Sequence, residues 1–99
     1  MSVGAMEITF RLFGALRDTV GCKQVNLPWS DGTVREALVS FVEQQPSSAR
    51  GFLFDSHGNL WRSLIVLVND EPVADAQTSP VKVGDTISVL LPLAGGKTG

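Results

Sequence analysis

One segment of this chain has only one reading as local structure. In "SDGTVREALVSFVEQQP" the apolar residues Val34, Ala37, Leu38, Phe41 and Val42 fall at i, i+3, i+4, i+7 and i+8, a single stripe along a helix. Thr33 followed by Glu36 fits a capping box, in which the hydroxyl takes a free backbone N–H and the carboxylate reaches back to the cap. Pro46 then stops the helix. A helix with one apolar stripe has to bury it against another layer, so the rest of the chain must supply that layer.

The flanking segments read as strands. In "MEITFRLF" Met6, Ile8, Phe10 and Leu12 alternate with Glu7, Thr9, Arg11 and Phe13, the period of a half-buried strand. "GALRDTVG" interrupts it, with Gly14 and Gly21 as expected turn points, and "KQVNLP" follows with Val25 and Leu27 on one face. The two runs are close enough to form an antiparallel hairpin. After the helix, "SSARGFLFDSHGNLWRS" shows no clean period, yet Phe52, Leu53, Phe54, Leu60 and Trp61 are too apolar to be solvated throughout. It reads as an irregular segment over the core, turning at Asp55 to Asn59. "SLIVLVND" is a continuous apolar run ended by a turn pair, the pattern of a strand buried on both faces or central in its sheet. "EPVAD" reads as a short edge strand, because Pro72 has no N–H for a ladder. In "KVGDTISVLLP" a turn at Gly84 and Asp85 precedes a strand whose Ile87, Val89 and Leu91 share one face. Strand, strand, helix, strand, short strand, strand predicts an α+β fold of β-grasp type, a mixed sheet packed on one main helix. Its 99 residues suffice for one core, expected over residues 1–94, with 95–99 as a Gly-Gly tail and its extension.

Composition narrows the function classes. The chain is 43% hydrophobic and 18% charged, a globular balance, and its net charge of −2 gives no reason to expect nucleic acid or an anionic membrane as partner. Apolar runs such as "LIVLV" are far below the roughly 20 residues that span a bilayer. "MSVGAMEITF" lacks a basic start followed by an apolar stretch, so no signal peptide is expected. The single cysteine, Cys22, excludes an internal disulfide framework and a cysteine-ligated metal within one chain, and a cytoplasmic protein is expected.

The chemistry-bearing residues are sparse. "GGKT" resembles the end of a phosphate-binding loop, but that loop needs a glycine at position 91, where Leu91 stands. His57 is the only histidine, so no histidine cluster can bind a metal and no second imidazole can build a relay. Cys22 sits beside Lys23 with no histidine base close in sequence and reads as incidental. Asp31, Glu36, Asp55, Asp70, Glu71 and Asp75 are scattered on turns and caps, where carboxylates stabilise local structure. No metal and no catalytic residue is expected.

The remaining candidate is the tail, "VLLPLAGGKTG". Lacking a Cβ, Gly95 and Gly96 can be drawn extended through a passage too narrow for side chains. Six extended residues from Leu91 to Gly96 reach roughly 20 Å at about 3.3 Å each, enough to place a carboxylate in another protein's active site. If Phe10, Leu12, Val89 and Leu91 pack on the helix, Phe13 and Leu90 face the other way and, with Pro92 and Leu93, form a partner-docking patch.

In its "ITFRLFGALRDTVG", "DGTVREAL", "IVLVND" and, above all, "VKVGDTISVLLPLAGG", the chain resembles the ubiquitin-like sulfur carriers: the MoaD-type small subunit of molybdopterin synthase, the ThiS-type thiamine sulfur carrier and related small modifiers. The last segment, a Gly-Asp turn, a strand, a proline and Gly-Gly in that order, is the specific one. The resemblance implies that the carboxylate of Gly96 is the reacting group and that Gly95 precedes it in the channel. It implies no bound cofactor; an adenylating enzyme uses ATP to activate the terminus, a thiocarboxylate is formed, and a sulfur acceptor enzyme takes the sulfur. The departure is "KTG", which locks Gly96 in a peptide bond to Lys97. Either a processing protease cuts between Gly96 and Lys97, as a JAMM-type metalloprotease does for some relatives, or the extension does not belong to the mature protein. Two other classes stay open: a modifier joined through Gly96 to target lysines, and a non-catalytic β-grasp interaction domain.

Overall fold

The structure, a computed structural model, describes residues 6–91. Strand β1 (Glu7–Leu12) is followed by helix α1 (Gly14–Val20), strands β2 (Gln24–Pro28) and β3 (Asp31–Thr33), and the main helix α2 (Val34–Glu43). Helix α3 (Ser47–Leu53), strands β4 (Ile65–Val68), β5 (Glu71–Pro72), β6 (Pro80–Lys82) and β7 (Thr86–Leu90) complete the order. Five strands form one sheet in the order β2-β1-β7-β4-β5, and β3 pairs with β6 in a second, two-stranded sheet. The first and last strands lie side by side in the middle and run parallel, with Phe10 opposite Ile87 and Leu12 opposite Val89. All other pairs are antiparallel. A parallel pair needs a long crossover, and the chain between β1 and β7 contains the helix that covers it.

Alternation along β1 and β7 sends Ile8, Phe10, Leu12, Ile87 and Val89 into the core, where they meet Val34, Ala37, Leu38, Phe41 and Val42 of α2, all buried. The Phe10 and Phe41 rings stack with centroids 4.7 Å apart and planes at 29°. The expected stripe, capping box and helix are all present: the Glu36 N–H donates to Thr33 Oγ1 at 3.2 Å, and the Thr33 N–H donates to Glu36 Oε1 at 2.8 Å. The turn pair after β4 is a two-residue hairpin loop in which Asn69 and Asp70 both have positive φ, 53° and 71°, as a twist-matched tight hairpin requires. Asn69 also clasps the β6–β7 turn: its Nδ2 donates to Asp85 Oδ1 at 3.0 Å and its Oδ1 accepts from the Thr86 N–H at 3.0 Å.

Several sequence expectations need correction. The β1–β2 pair is antiparallel as expected, but "GALRDTV" is helix α1 and not a simple turn. Gly21, at φ 94°, is its left-handed C-cap and donates to the Arg17 carbonyl at 2.8 Å, while Leu16 is fully buried under it. "SSARGFL" is helix α3, with Pro46 at the cap and Ala49 and Leu53 buried one turn apart; the turn at Asp55 to Asn59 stands as read. Strands β3 and β6 were not anticipated, because three residues carry no readable period. β4 lies inside the sheet, as the apolar run suggested, paired with β7 on one side and the two-residue edge strand β5 on the other, but it is not buried on both faces: Ile65 is 46% exposed. Met6 departs from the alternation at 59% exposed, and Leu91 lies half-buried beyond β7.

One glycine is required by close approach. At Gly32, φ 151°, a Cβ would come 2.8 Å from the Trp29 ring and 2.7 Å from Glu36 Oε1. The Trp29 indole N–H donates to the Val81 carbonyl at 3.1 Å, and Glu36 is half of the capping box, so neither neighbour can yield without loss. Gly32→Ala should therefore cost about 1–3 kcal/mol of stability, the range for forced overpacking. Urea unfolding checks it; an unchanged midpoint would mean that both neighbours move freely.

The Asp55 turn gives a pH signature. Asp55 Oδ1 accepts from the Asn59 N–H at 3.0 Å and the His57 N–H at 2.8 Å. The Asn59 bond chiefly holds its carboxyl below the ordinary aspartate value, helped by the His57 N–H and charge, while desolvation opposes. A lowered folded-state pKa gives a contribution fully present above the unfolded value and lost as pH falls through the folded one. Asp55 should titrate below an unperturbed aspartate by NMR, and Asp55→Asn should flatten stability against pH in that acidic window. A normal or raised midpoint would refute the turn's bonding.

An apolar groove at the end of strand β7

Strand β7 aims the chain at its candidate site. Ile87 and Val89 point inward, so Leu90 points to the other face, opposite Ile65 of β4. Across β1, Phe13 is the first residue after the strand and caps α1 with extended backbone (φ −137°, ψ 154°) and no side-chain cap bond. Both Phe13 and Leu90 are half-buried, and both line one groove of about 390 Å³ together with Ala15, Phe52, Trp61, Leu64 and Leu91. None of its lining residues is charged. The Arg11 guanidinium lies 5.7 Å from the centroid of the Phe13 ring.

The far wall is fixed by hydrogen bonds. Trp61, 47% exposed, donates its indole N–H to the Gly51 carbonyl at 2.9 Å and its backbone N–H to the Leu53 carbonyl at 3.1 Å. The Leu64 N–H in turn donates to the Trp61 carbonyl at 3.2 Å. An exposed indole held at both its ring and its backbone presents a defined apolar surface, of the kind that marks contact sites.

Of the residues singled out from sequence, Phe13 and Leu90 are thus brought together, while Pro92, Leu93, Gly95, Gly96 and Lys97 lie outside the described residues. Sequence reasoning missed Phe52, Trp61 and Leu64 as part of the same groove. The signal was the aperiodic apolar cluster between Phe52 and Trp61, which had been assigned only to covering the core. Elsewhere the chemistry is thin. His57 and Cys22 are exposed, and among the described residues no group of three His, Cys, Asp or Glu side chains lies together as metal ligands do. No helix among them is long and apolar enough to cross a membrane.

Comparison with known proteins places this geometry. No curated protein matches the sequence significantly. Among solved structures, SAMP1 from Haloferax volcanii superposes with a TM-score of 0.81 at 26% identity, over 91% of this chain and 99% of that one. The Haloferax volcanii HVO 2177 protein gives 0.76 at 30% identity, over 97% of this chain and 92% of that one. A chain of the Amycolatopsis orientalis BexX/CysO complex gives 0.72 at 29% identity, over 90% and 99%. The ThiS family model matches residues 10–96, from within β1, past the groove, to the second glycine. With a mixed five-stranded sheet on one main helix and a family match over nearly its whole length, the chain belongs to the ThiS family of small ubiquitin-like β-grasp proteins.

Proposed function

We propose that the protein is a sulfur carrier whose working group is the carboxylate of Gly96, exposed by removal of Lys97, Thr98 and Gly99. The observation that carries this reading is where the family match stops: at residue 96, the second glycine, and not at Gly99. Lys97–Gly99 therefore stand beyond the residues that the family model matches.

The chemistry follows from the terminus. A carboxylate is a poor electrophile because its oxygen is a bad leaving group. An activating enzyme lets the Gly96 carboxylate attack the α-phosphorus of ATP, releasing pyrophosphate and forming an acyl-adenylate. A hydrosulfide-equivalent donor then attacks the acyl carbon, AMP leaves, and a thiocarboxylate remains. The carrier contributes the reacting carbon, a tail without side chains at its last two positions, and a docking face. No general acid, base or metal of its own is called for, and the ATP belongs to the partner. The sulfur acceptor enzyme would be a second partner, and a protease cutting between Gly96 and Lys97 a third. We place the protein in the cytoplasm with those partners.

A second reading has a specific support. The match to SAMP1, a small archaeal modifier protein, favours a modifier in which the same adenylate ends on a lysine amine of a target. Activation is shared and only the last acceptor differs. Intact mass of the protein from its own cell separates them, through an oxygen-to-sulfur exchange at Gly96 or through isopeptide-linked adducts.

Two outcomes are expected. With the cognate activating enzyme, a chain ending at Gly96 should support ATP–pyrophosphate exchange, while the chain running through Gly99, shown by mass to be uncut, should not. Equal rates would mean that Gly99 is used directly and that "KTG" is no mask. Phe13→Ser and Leu90→Ser should each weaken binding to that enzyme about tenfold or more, about 1.4 kcal/mol, with the fold retained. Unaltered affinity in both would remove the groove from the interface.

A further inference from the structure

We propose that the cleft between residues 59–64 and the loop 73–77 binds a carboxylate carried on a small apolar body. The cleft holds about 370 Å³, within the range of roughly 300–1,000 Å³ that small-molecule sites occupy. It shares Trp61 and Leu64 with the apolar groove and so lies next to it, but its walls differ in kind. Leu60, Leu64 and Val73, all packed against the core, give it an apolar lining, and three charged side chains face it: Arg35, Arg62 and Asp75.

Arg35 ties the cleft together. It stands in the first turn of α2, is half-buried, and is bonded to both sides: its Nη2 donates to the Gly58 carbonyl at 2.6 Å, and its backbone N–H donates to the Ala76 carbonyl at 2.9 Å. Its Cζ also lies 5.7 Å from the centroid of the Phe54 ring. A guanidinium has five N–H donors, so the bond to Gly58 leaves most of the fork unspent. Among the described residues no carboxylate lies within ion-pair distance of Arg35 or Arg62; the one ion pair there joins Arg17 and Asp18. Asp75 does not fill that role, and its Oδ1 accepts the Gln77 N–H at 2.9 Å. A charge drawn partly out of water attracts an opposite one more strongly than an exposed charge does. The ligand class follows from the charge balance. Two arginines and one aspartate leave a single net positive charge, matched by a monoanion, whereas a phosphate dianion would also meet the Asp75 carboxylate. A planar carboxylate fits the guanidinium fork, and the apolar lining takes the hydrocarbon attached to it. Nothing in this binding uses the tail, so it is independent of the carrier reading above.

The test uses the full chain through Gly99, labelled for NMR, and two probes: isocaproate, and a capped leucine–glutamate–leucine peptide whose one charge is its side-chain carboxylate. Saturable shifts of the Trp61 indole and Arg35 Nε–H signals are expected from at least one probe, with the Trp29 indole, bonded to the Val81 carbonyl, unmoved as the reference for an intact fold. Which probe binds more tightly assigns the source, a free small carboxylate for isocaproate or an acidic side chain of a partner protein for the peptide. Arg62→Gln should weaken that binding about fivefold or more. Asp75→Asn keeps an oxygen for the Gln77 N–H and removes the competing charge, so it should tighten binding, a change that a loss of structure would not produce. Shifts from neither probe overturn the proposal. So do equal affinity for the neutral isocaproamide, inorganic phosphate bound as tightly as either probe, or unaltered affinity in either variant. No enzyme is present in this measurement, so its failure leaves the carrier reading standing, and failed pyrophosphate exchange leaves the cleft standing.

Discussion

Everything in this molecule hangs on the contact between the parallel pair β1–β7 and helix α2. The first and last strands supply Ile8, Phe10, Leu12, Ile87 and Val89 to one surface, and the Phe10–Phe41 stack fixes the helix upon it. Pairing residues nearly eighty positions apart costs loop-closure entropy, which local turns cannot offset and which only the buried apolar surface of that layer can. The remaining elements are fitted round it. β3–β6 and Trp29 brace the start of α2, α1 and α3 close one end, and the Asn69–Asp85 clasp binds the β4–β5 hairpin to the turn that launches β7.

That arrangement also explains where the site lies. A strand in the middle of a sheet is held on both sides, so β7 delivers Leu90 and Leu91 to a fixed point, and the pleat turns Leu90 to the face opposite the core. The groove forms where α3 and the segment after it leave Phe52, Trp61 and Leu64 short of full burial on the way to β4.

Helix α2, its capping box, the strand alternation and the Gly84–Asp85 turn were legible because each is local: a period, a cap pair or a turn residue set within a few positions. What was not legible depends on distance. Helices α1 and α3 are seven residues long, too short to establish a period, and Gly14 and Gly21 disguised the first as a turn. β3 and β6 exist only through each other, and the exposure of Ile65 on β4 depends on what covers that face of the sheet, which an apolar run does not encode. For the site, Phe13 and Leu90 followed from pleat alternation alone. Trp61 and Leu64 did not, because the fold brings them there from a segment with no period of its own.

The parallel setting of β1 beside β7 has a mechanical side. Any partner that grips the end of the chain and draws it along pulls β7 lengthwise between β1 on one flank and β4 on the other. A load in that direction meets the hydrogen bonds of both ladders in shear, all together, and does not peel them one after another. The β1–β7–β4 arrangement is thus one that resists a load applied along β7.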